Sequence, residues 1–442
     1  MKETSVKYPF LTREVKIYEQ DNGHKIVLAY KEGGMVNVSS WVKTGSINEN
    51  DKNNGISHFL EHLMFKGTEK HPAGEFDHIL EARGAIVNAA TWKDYTFYYV
   101  TLPKGENNEN FNLAIELHAD MMTNPQIPDY EMGAPFDVND KNVTDKRERH
   151  VVIEEIRMRK DQPWTKVYNA TNHAMYTSHP YKRDVIGTPE IISQVSQEEI
   201  MNYYRTFYSP QNVTTIIVGE FDFEEVLEKV KSEFNWGERP TPPERNQVID
   251  APVQETVYIE NESNINSTFM MMGYLGVKAN DLKNLVCLEL LSIILGEGTS
   301  SRLYSNLIEK IDEQIFNVVN VQHYPFRDGS NFFIQANFNP EYKEKAIELI
   351  KNEIEKLKEN ITEKELNKAK KTLKCDFACE VETVSDIGES IGYYMTVCDD
   401  LSLAEQYIPT CESITVEDLK EAAKKYLNIN NAVISVLSPK KN

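Results

Sequence analysis

The sequence predicts an α+β fold of two homologous domains, each a mostly antiparallel sheet with helices packed on it. Segments with the alternating polarity of half-buried strands are interleaved with amphipathic helical segments in both halves of the chain. A helix and the strand after it in the first half have a counterpart in the second half, and corresponding residues of the two units are separated by the same number of positions. The length of 442 residues also exceeds that of a typical single domain.

The recurring unit is a helix and the strand that follows it, at 195–218 and again at 414–436, with an offset of 219 positions. Each helix begins with a Ser or Thr that is followed three positions later by an acidic residue, the pattern of a capping box. Chance gives one such box far more readily than two units in matching register, which favours a duplicated domain. The capping pairs are Ser196 with Glu199 and Thr415 with Asp418.

Proline-rich sequence separates the two halves. Four prolines lie between positions 240 and 252, and proline favours an extended backbone that lacks an amide donor. We therefore expect a first domain at 1–235, a linker at 236–252 and a second domain at 253–442. The histidine-containing run at 58–62 lies in the first domain, and the second domain has no corresponding run.

Hydrophobic periodicity predicts the individual elements. The segments 25–30 and 36–42 alternate in polarity and are predicted to be neighbouring strands. The segments 84–91 and 96–101 are predicted to form a second pair. Helices are predicted at 107–123, 148–160, 223–234, 281–295, 341–357 and 362–380.

The net charge of −21 disfavours nucleic acid and anionic membranes as partners. It suits basic partners such as cationic peptides, although solubility alone is the alternative explanation. Five cysteines, an odd number at low density, argue against a disulfide framework, and Cys375 and Cys379 are interpreted as packed thiols. The N-terminal residues lack the features of a secretory signal or a mitochondrial presequence, and no stretch approaches the ~20 apolar residues of a membrane span. A cytoplasmic location is expected.

The most informative segment is an apolar run, 55–65, that contains His58, Glu61 and His62. On a helix, residues four positions apart leave the same face, so both imidazoles can reach one metal ion. Glu61, the third polar residue, lies about 60° from His58 around the helix axis. The rest of the helix is apolar and predicts burial, and burying these groups without partners costs several kcal/mol. A bound metal cation would offset that cost.

The alternative is a core helix whose histidines bond to backbone carbonyls. The order His-x-x-Glu-His favours the metal, because it is the inverted form of the zinc-peptidase pattern His-Glu-x-x-His. A catalytic zinc site needs a third protein ligand and leaves one position for water. Glu148 and Glu155 lie seven positions apart on a predicted helix, hence on one face, and are candidates. A solvated charged face is the alternative for this helix.

Several motifs together resemble the pitrilysin family of zinc peptidases, and more narrowly its mitochondrial-processing-peptidase-like branch. The resemblance extends over nearly the whole chain, and its motifs include the His-x-x-Glu-His run and the second acidic helix. Further segments match in both halves of the chain. The matching segments are 58–68, 84–98, 148–155, 179–188 and 298–304.

The resemblance implies one zinc ion per chain, with Glu155 as the third ligand beside the two histidines. It assigns a supporting role on the same helix face to Glu148. The 93 positions from His62 to Glu155 exceed the spacing usual in the family, and the polar segment 132–140 is interpreted as an insertion. This longer spacing leaves Glu154 as the alternative third ligand.

The implied activity is zinc-dependent endopeptidase hydrolysis of unstructured peptides. Zinc lowers the pKa of a bound water. Glu61 is adjacent to a zinc ligand but is not a ligand itself, and it is expected to accept the proton of that water as general base. The strand containing Asn88, Ala89 and Ala90 is expected to present backbone groups to an extended substrate. A turn residue near the end of the sheet is the alternative interpretation of Asn88.

Active members of the family often carry an Arg and a Tyr, seven apart, in the second domain to hold the substrate. The corresponding positions here are Ile308 and either Ile315 or Phe316. A homologous partner that supplies the pair is therefore expected, in a heterodimer of which this zinc-carrying chain forms half of a clamshell. A homodimer is the alternative assembly. The alternative functions are a non-catalytic scaffold or peptide-binding subunit of the same fold, and a zinc hydrolase acting on a small molecule.

Overall fold

A computed structural model describes residues 1–140, 145, 147–245 and 248–440. Two mixed sheets carry the fold. The first has seven strands in the order β1-β2-β3-β7-β4-β6-β5, and β3 pairs in parallel with β7 while the other neighbours are antiparallel. Its strands are β1 (Lys2–Val6), β2 (Val15–Glu19), β3 (Lys25–Tyr30), β4 (Met35–Val42), β5 (Ile86–Thr91), β6 (Thr96–Pro103) and β7 (Val213–Gly219).

The second sheet has five strands in the order β10-β11-β9-β12-β8. Here β12 pairs in parallel with β8, and the remaining neighbours are antiparallel. The predicted α+β class with mostly antiparallel sheets is therefore confirmed. The strands are β8 (Val257–Ser263), β9 (Thr268–Leu275), β10 (Phe316–Pro325), β11 (Ser330–Phe338) and β12 (Val433–Pro439).

The helices agree with the predicted segments to within a few residues at their ends. Both predicted capping boxes are present, at the starts of α8 and α16. The helices are α1 (Ile56–Met64), α2 (Glu75–Glu81), α3 (Glu109–Thr123), α4 (Asp129–Met132), α5 (Glu148–Asp161), α6 (Pro163–Met175), α7 (Pro189–Ile192), α8 (Gln197–Phe207), α9 (Phe223–Glu233), α10 (Leu282–Gly296), α11 (Arg302–Tyr304), α12 (Lys343–Asn360), α13 (Glu363–Cys379), α14 (Val384–Tyr393), α15 (Ser402–Ser413) and α16 (Val416–Tyr426).

Two expectations from the sequence are wrong. Strands β3 and β4 are not neighbours, because β7 lies between them and pairs with both. Proximity in sequence favours pairing but does not enforce it, and a later strand can insert. Cys375 and Cys379 are exposed rather than packed, whereas the other three cysteines are buried, and none of the five forms a disulfide bond.

The chain forms two compact units, and neither is continuous in sequence. The first comprises Met1–Met158, Arg183–Asn246 and Ala378–Glu405, and the second comprises Arg159–Lys182, Gln247–Phe377 and Gln406–Asn442. Helix α6, from the first half of the sequence, therefore packs on β9 and β12 in the second unit. Helix α14, from the second half, packs on β4 and β7 in the first unit. The domain boundaries at 235 and 253 stay a prediction.

Close packing holds α14 against the first sheet. Gly388 lies against Asn37, and Gly392 lies against the indole of Trp41, so that a Cβ at either glycine would collide with the β4 side chain. Glycine here lets the helix backbone approach the sheet directly.

Helix α1 packs on β5, β6 and α8 in the first unit. It buries Ile56, Phe59, Leu60, Leu63 and Met64, each at most 1% exposed. Full burial of such a side chain stabilises the fold by about 1.5–3 kcal/mol. The helix is thereby fixed on its apolar face, and its polar side chains emerge from a rigid support. Across the described residues, none of the helices combines the length and the apolar character that a membrane crossing needs.

Candidate metal centre

The N-terminus of α1 is capped from a distance. Its N-cap residue, Gly55, has a left-handed backbone (φ 97°) and offers no side-chain cap. The buried carboxylate of Glu49 takes over this role by accepting hydrogen bonds from the amides of Gly55 (2.7 Å) and Ser57 (2.9 Å). It also accepts from the Ser57 hydroxyl (2.6 Å) and the Asn54 side chain (2.8 Å). A carboxylate at a helix N-terminus satisfies amides that lack intrahelical partners.

The burial of Glu49 raises the pKa of its carboxyl group, although the four hydrogen bonds counteract that shift. The Ser57 hydroxyl also shares a hydrogen bond of 2.8 Å with the hydroxyl of Tyr203 on α8. These contacts fix the first turn of α1 immediately before His58.

Three atoms that could serve as metal ligands lie close together where α1 meets α5. Nε2 of His58 lies 3.6 Å from Oε2 of Glu155, and Nε2 of His62 lies 3.5 Å from the same oxygen. One ligand atom from each of the three residues lies within 4.8 Å of the others. The side chains of His58 and His62 are 8% and 22% exposed and that of Glu155 is 30% exposed, so the group opens to solvent on one side.

These residues fit a zinc ion. Two ligand atoms at about 2.1 Å from a tetrahedral ion lie about 3.4 Å apart, close to the two observed N···O separations. Two imidazoles and one carboxylate are a donor set that zinc accepts, and the open side leaves room for a fourth ligand.

Glu148, at the first position of α5, orients one of the histidines. Its Oε1 lies 2.9 Å from Nδ1 of His62, and its Oε2 lies 2.5 Å from Nζ of Lys66. Burial alone would lower the pKa of His62, but the hydrogen bonds to Glu148 and Glu155 outweigh it and raise this pKa to about 9. For Glu148, burial acts against the charge, and its bonds to His62 and Lys66 lower its pKa below the ordinary value.

Glu61 lies beside the cluster without belonging to it. Its Oε2 accepts a hydrogen bond of 2.5 Å from the hydroxyl of Thr91, the last residue of β5. The half-buried carboxylate is thus tied to the strand that borders α1.

The predicted substrate strand is the edge of the first sheet. Asn88, Ala89 and Ala90 lie on β5, which pairs with β6 on one side; within the described residues, no strand covers its other side. Exposed and half-buried residues alternate along it. The side chain of Asn88 accepts a hydrogen bond of 2.9 Å from the amide of Ala89.

The alternative third ligand, Glu154, points elsewhere. Its side chain is 63% exposed and pairs with Arg157 at 2.6 Å. Glu155, not Glu154, is therefore the acidic residue that the fold brings to the two histidines. The fully buried Arg149 helps to set the rotation of α5, because its guanidinium donates to the carbonyls of Gly133 (3.1 Å), Ile192 and Val195 (2.8 Å).

Four residues of this region were not identified from the sequence: Glu49, Lys66, Thr91 and Arg149. Glu49 precedes the helix by seven residues and forms no recognisable capping box. Lys66 follows His62 by four positions, which could have suggested a shared face. Thr91 and Arg149 lay inside matched motifs, but the motif alone does not indicate their contacts.

The positions expected to hold the Arg/Tyr pair lie in the second unit. Ile315 and Phe316 are buried, and Ile308 is part of a helical turn, Ser305–Glu309. The nearby Arg302 is bound by the carboxylate of Glu365, with N···O distances of 2.7 and 2.9 Å, at the start of α11.

Comparison with known proteins identifies two family regions. Residues 25–189, which include the histidines, Glu61 and Glu155, match the family described as "Insulinase (Peptidase family M16)". Residues 194–373 match the description "Peptidase M16 inactive domain".

Relatives align over most of their length. The zinc protease PqqE of Helicobacter pylori is 31% identical over 95% of this chain and 91% of its own. The mitochondrial-processing peptidase subunit beta of Bos taurus is 23% identical over 96% of this chain and 84% of its own. A crystal structure of a protease from Helicobacter pylori is similar with a TM-score of 0.84 and 29% identity, over 96% of this chain and 99% of that one. By these similarities, the chain belongs to the insulinase family of peptidases, family M16.

Proposed function

We propose that the protein is a zinc-dependent endopeptidase of unstructured peptides, with one zinc ion held by His58, His62 and Glu155. The observation that carries the proposal is the approach of both Nε2 atoms to one oxygen of Glu155, at 3.5 and 3.6 Å. The relative from Helicobacter pylori is named a zinc protease, which supports the same metal and reaction.

A zinc ion at this position would lower the pKa of a water and polarise the scissile carbonyl. Glu61 is then the general base: its carboxylate takes the proton of the attacking water and returns it to the leaving amine. Thr91 holds one oxygen of Glu61, which limits the rotation of this carboxylate. Glu148 keeps the ring of His62 aligned through Nδ1.

The substrate is proposed to add to the edge of the first sheet. An extended peptide alongside β5 would pair with the backbone near Asn88, Ala89 and Ala90, and Thr91 would bring its scissile bond close to Glu61. Only an unfolded segment offers a free strand to such an edge, which restricts the substrates to unstructured peptides. The net charge of −21 favours basic sequences.

A heterodimer with a homologous chain is the proposed assembly, and a homodimer is the alternative. The bovine relative is named as one subunit of a peptidase. The apolar residues at these positions, Ile308 and either Ile315 or Phe316, would leave substrate recognition in the second domain to a partner that carries an Arg/Tyr pair. A cytoplasmic location is part of the proposal, because cysteines without disulfide bonds are typical of a reducing compartment.

The non-catalytic scaffold is the competing function. The words "inactive domain" describe the match at 194–373, which contains none of the four proposed active-site residues. A scaffold would be favoured if a zinc ligand or the general base were missing. This chain keeps all four proposed active-site residues.

The test combines metal content with cleavage of an unstructured basic peptide. The chain is purified with and without its candidate partner, and zinc is quantified by elemental analysis. We expect about one zinc per chain, and Glu61→Gln should keep the zinc while losing at least about 100-fold in turnover. The exposed Glu69→Gln is the matched control and should behave as wild type. A chain without bound zinc, or a Glu61→Gln protein with wild-type turnover, would refute the proposal.

A further inference from the structure

A chain of three ion pairs runs through the metal centre and ends at a lysine that the proposed mechanism does not use. Nζ of Lys66 lies 2.5 Å from Oε2 of Glu148, and Oε1 of Glu148 lies 2.9 Å from Nδ1 of His62. Nε2 of His62 in turn lies 3.5 Å from Oε2 of Glu155. The two oxygens of Glu148 thus have one partner each, and each partner comes from the same stretch of chain.

The backbone explains why both partners reach the same carboxylate. Lys66 follows the last residue of α1 by two positions, and its amide still donates to the carbonyl of Leu63 at 3.0 Å. The chain therefore continues to turn after the helix, and side chains four positions apart, His62 and Lys66, fall on one side. That side faces the start of α5, where Glu148 is located.

The ammonium has a physical role at this position. The side chain of Glu148 is only 12% exposed and that of Lys66 is 27% exposed, so water screens their attraction less than at the surface. A carboxylate held at one oxygen alone can rotate about its last bond and lose the alignment of its hydrogen bond. With Oε2 fixed by Lys66, Oε1 stays directed at Nδ1, and Nε2 of His62 stays directed at the metal position.

We propose that Lys66 is a positioning residue for the zinc site and acts through Glu148 on the orientation of His62. This inference rests on the proposed function, since it concerns the same metal. The competing explanation is an ordinary ion pair that ties the end of α1 to α5 and stabilises the fold without affecting the metal. The first explanation predicts a change in zinc affinity, whereas the second predicts a change in the stability of the zinc-free chain alone.

The experiment measures zinc affinity by competition with a chromogenic chelator, and the stability of the zinc-free full chain by urea unfolding. Groups that orient a metal ligand typically change metal affinity about 10–100-fold. We expect Lys66→Met to weaken zinc binding about tenfold with little change in zinc-free stability. Lys66→Arg keeps a cation that can bind the carboxylate and should restore most of the affinity. Lys70→Met is the control, because Lys70 is 66% exposed and its recorded ion pair, at 3.9 Å, is with Asp120.

A double variant tests whether Lys66 acts through Glu148. In the Glu148→Gln background, Lys66→Met should cause no further loss of zinc affinity. Equal losses in both backgrounds, wild-type affinity in Lys66→Met, or a loss that Lys66→Arg fails to restore would each overturn the inference while leaving the proposed function intact. A wild-type chain that binds no zinc would overturn both.

Discussion

The hydroxyl of Thr91 donates a hydrogen bond of 2.5 Å to Oε2 of Glu61. Thr91 ends the exposed edge strand β5, and Glu61 lies in the middle of α1. The strand proposed to receive the peptide is therefore bonded directly to the proposed base. In the proposed mechanism, this contact would align the base with a peptide bound along β5.

Removing that hydroxyl should slow catalysis without removing the metal. A hydrogen bond to a charged group contributes about 1.5–3 kcal/mol, and about 1.4 kcal/mol corresponds to a tenfold change in rate. We expect Thr91→Val to lower kcat at least about tenfold with unchanged zinc content, measured by steady-state peptide cleavage and elemental analysis. Thr91→Ser keeps the hydroxyl and should remain within a few-fold of wild type. An unchanged kcat in Thr91→Val would contradict the role.

The adjacent acids Glu154 and Glu155 form a matched pair for testing the third ligand. Glu155→Gln should lower zinc affinity and turnover together, because it removes a carboxylate whose Oε2 lies within 3.6 Å of a ring nitrogen of both histidines. Glu154→Gln disturbs only an exposed ion pair with Arg157 and should keep both properties. Zinc binding lost in Glu154→Gln but retained in Glu155→Gln would reverse the assignment.

Close contact between α14 and the first sheet predicts a stability difference between two glycines. A Cβ at Gly392 would collide with the indole of Trp41, whereas a Cβ at Gly34 would meet no atom within 4 Å. Overpacking of this kind typically destabilises by about 1–3 kcal/mol. We therefore expect Gly392→Ala, but not Gly34→Ala, to lower the free energy of unfolding in urea. Equal stabilities would show that α14 does not pack as described.

A buried hydrogen-bonded chain predicts loss of stability in acid. Nε2 of His118 lies 3.0 Å from the Ser40 hydroxyl, which lies 3.2 Å from that of Thr215, which lies 2.9 Å from Nε2 of His24. Both histidines are fully buried, and burial lowers the pKa of each to about 3. The unfolded chain titrates these imidazoles near pH 6.5, so it binds protons between about pH 6.5 and 3 that the folded chain does not.

Stability should therefore be unaffected by these groups above about pH 6.5 and decrease as the pH falls, by about 1.4 kcal/mol per pH unit for each histidine. Replacing His118 by Gln removes one of the two titrations. Urea unfolding at pH 7.5 and pH 5.0 should show a loss about 2 kcal/mol smaller in His118→Gln than in wild type. The same loss in both proteins would exclude His118 as a source of acid sensitivity.

Local patterns explain why much of the site could be predicted. The spacing of His58 and His62 is a property of one helix turn, and the apolar residues around them predicted the burial that the structure shows. The capping boxes at Ser196 and Thr415 likewise depend on residues three positions apart. Glu155 was distinguished from Glu154 only through family resemblance, because the rotation of α5 depends on contacts such as those of Arg149.

Pairings between distant segments could not be predicted in this way. Strand β7 lies between β3 and β4 although it follows them by more than 170 positions. Helix α14 covers a sheet built from the other half of the sequence, and Glu49 caps α1 without any local signature. After the local elements form, each still has an apolar face or unpaired amides to bury. Its partner is the element that can cover them, and that element can come from anywhere in the chain.

The sequence by itself determined the elements and the pair of imidazoles on one helix face, because backbone hydrogen bonding and side-chain periodicity act over a few residues. Only the tertiary structure decided that Glu155 meets those imidazoles, that Thr91 holds Glu61 and that Glu148 joins Lys66 to His62. The physical reason is that a carboxylate selects its partners by distance and burial in the packed chain, and residues far apart in sequence become neighbours only after the sheets and helices have assembled.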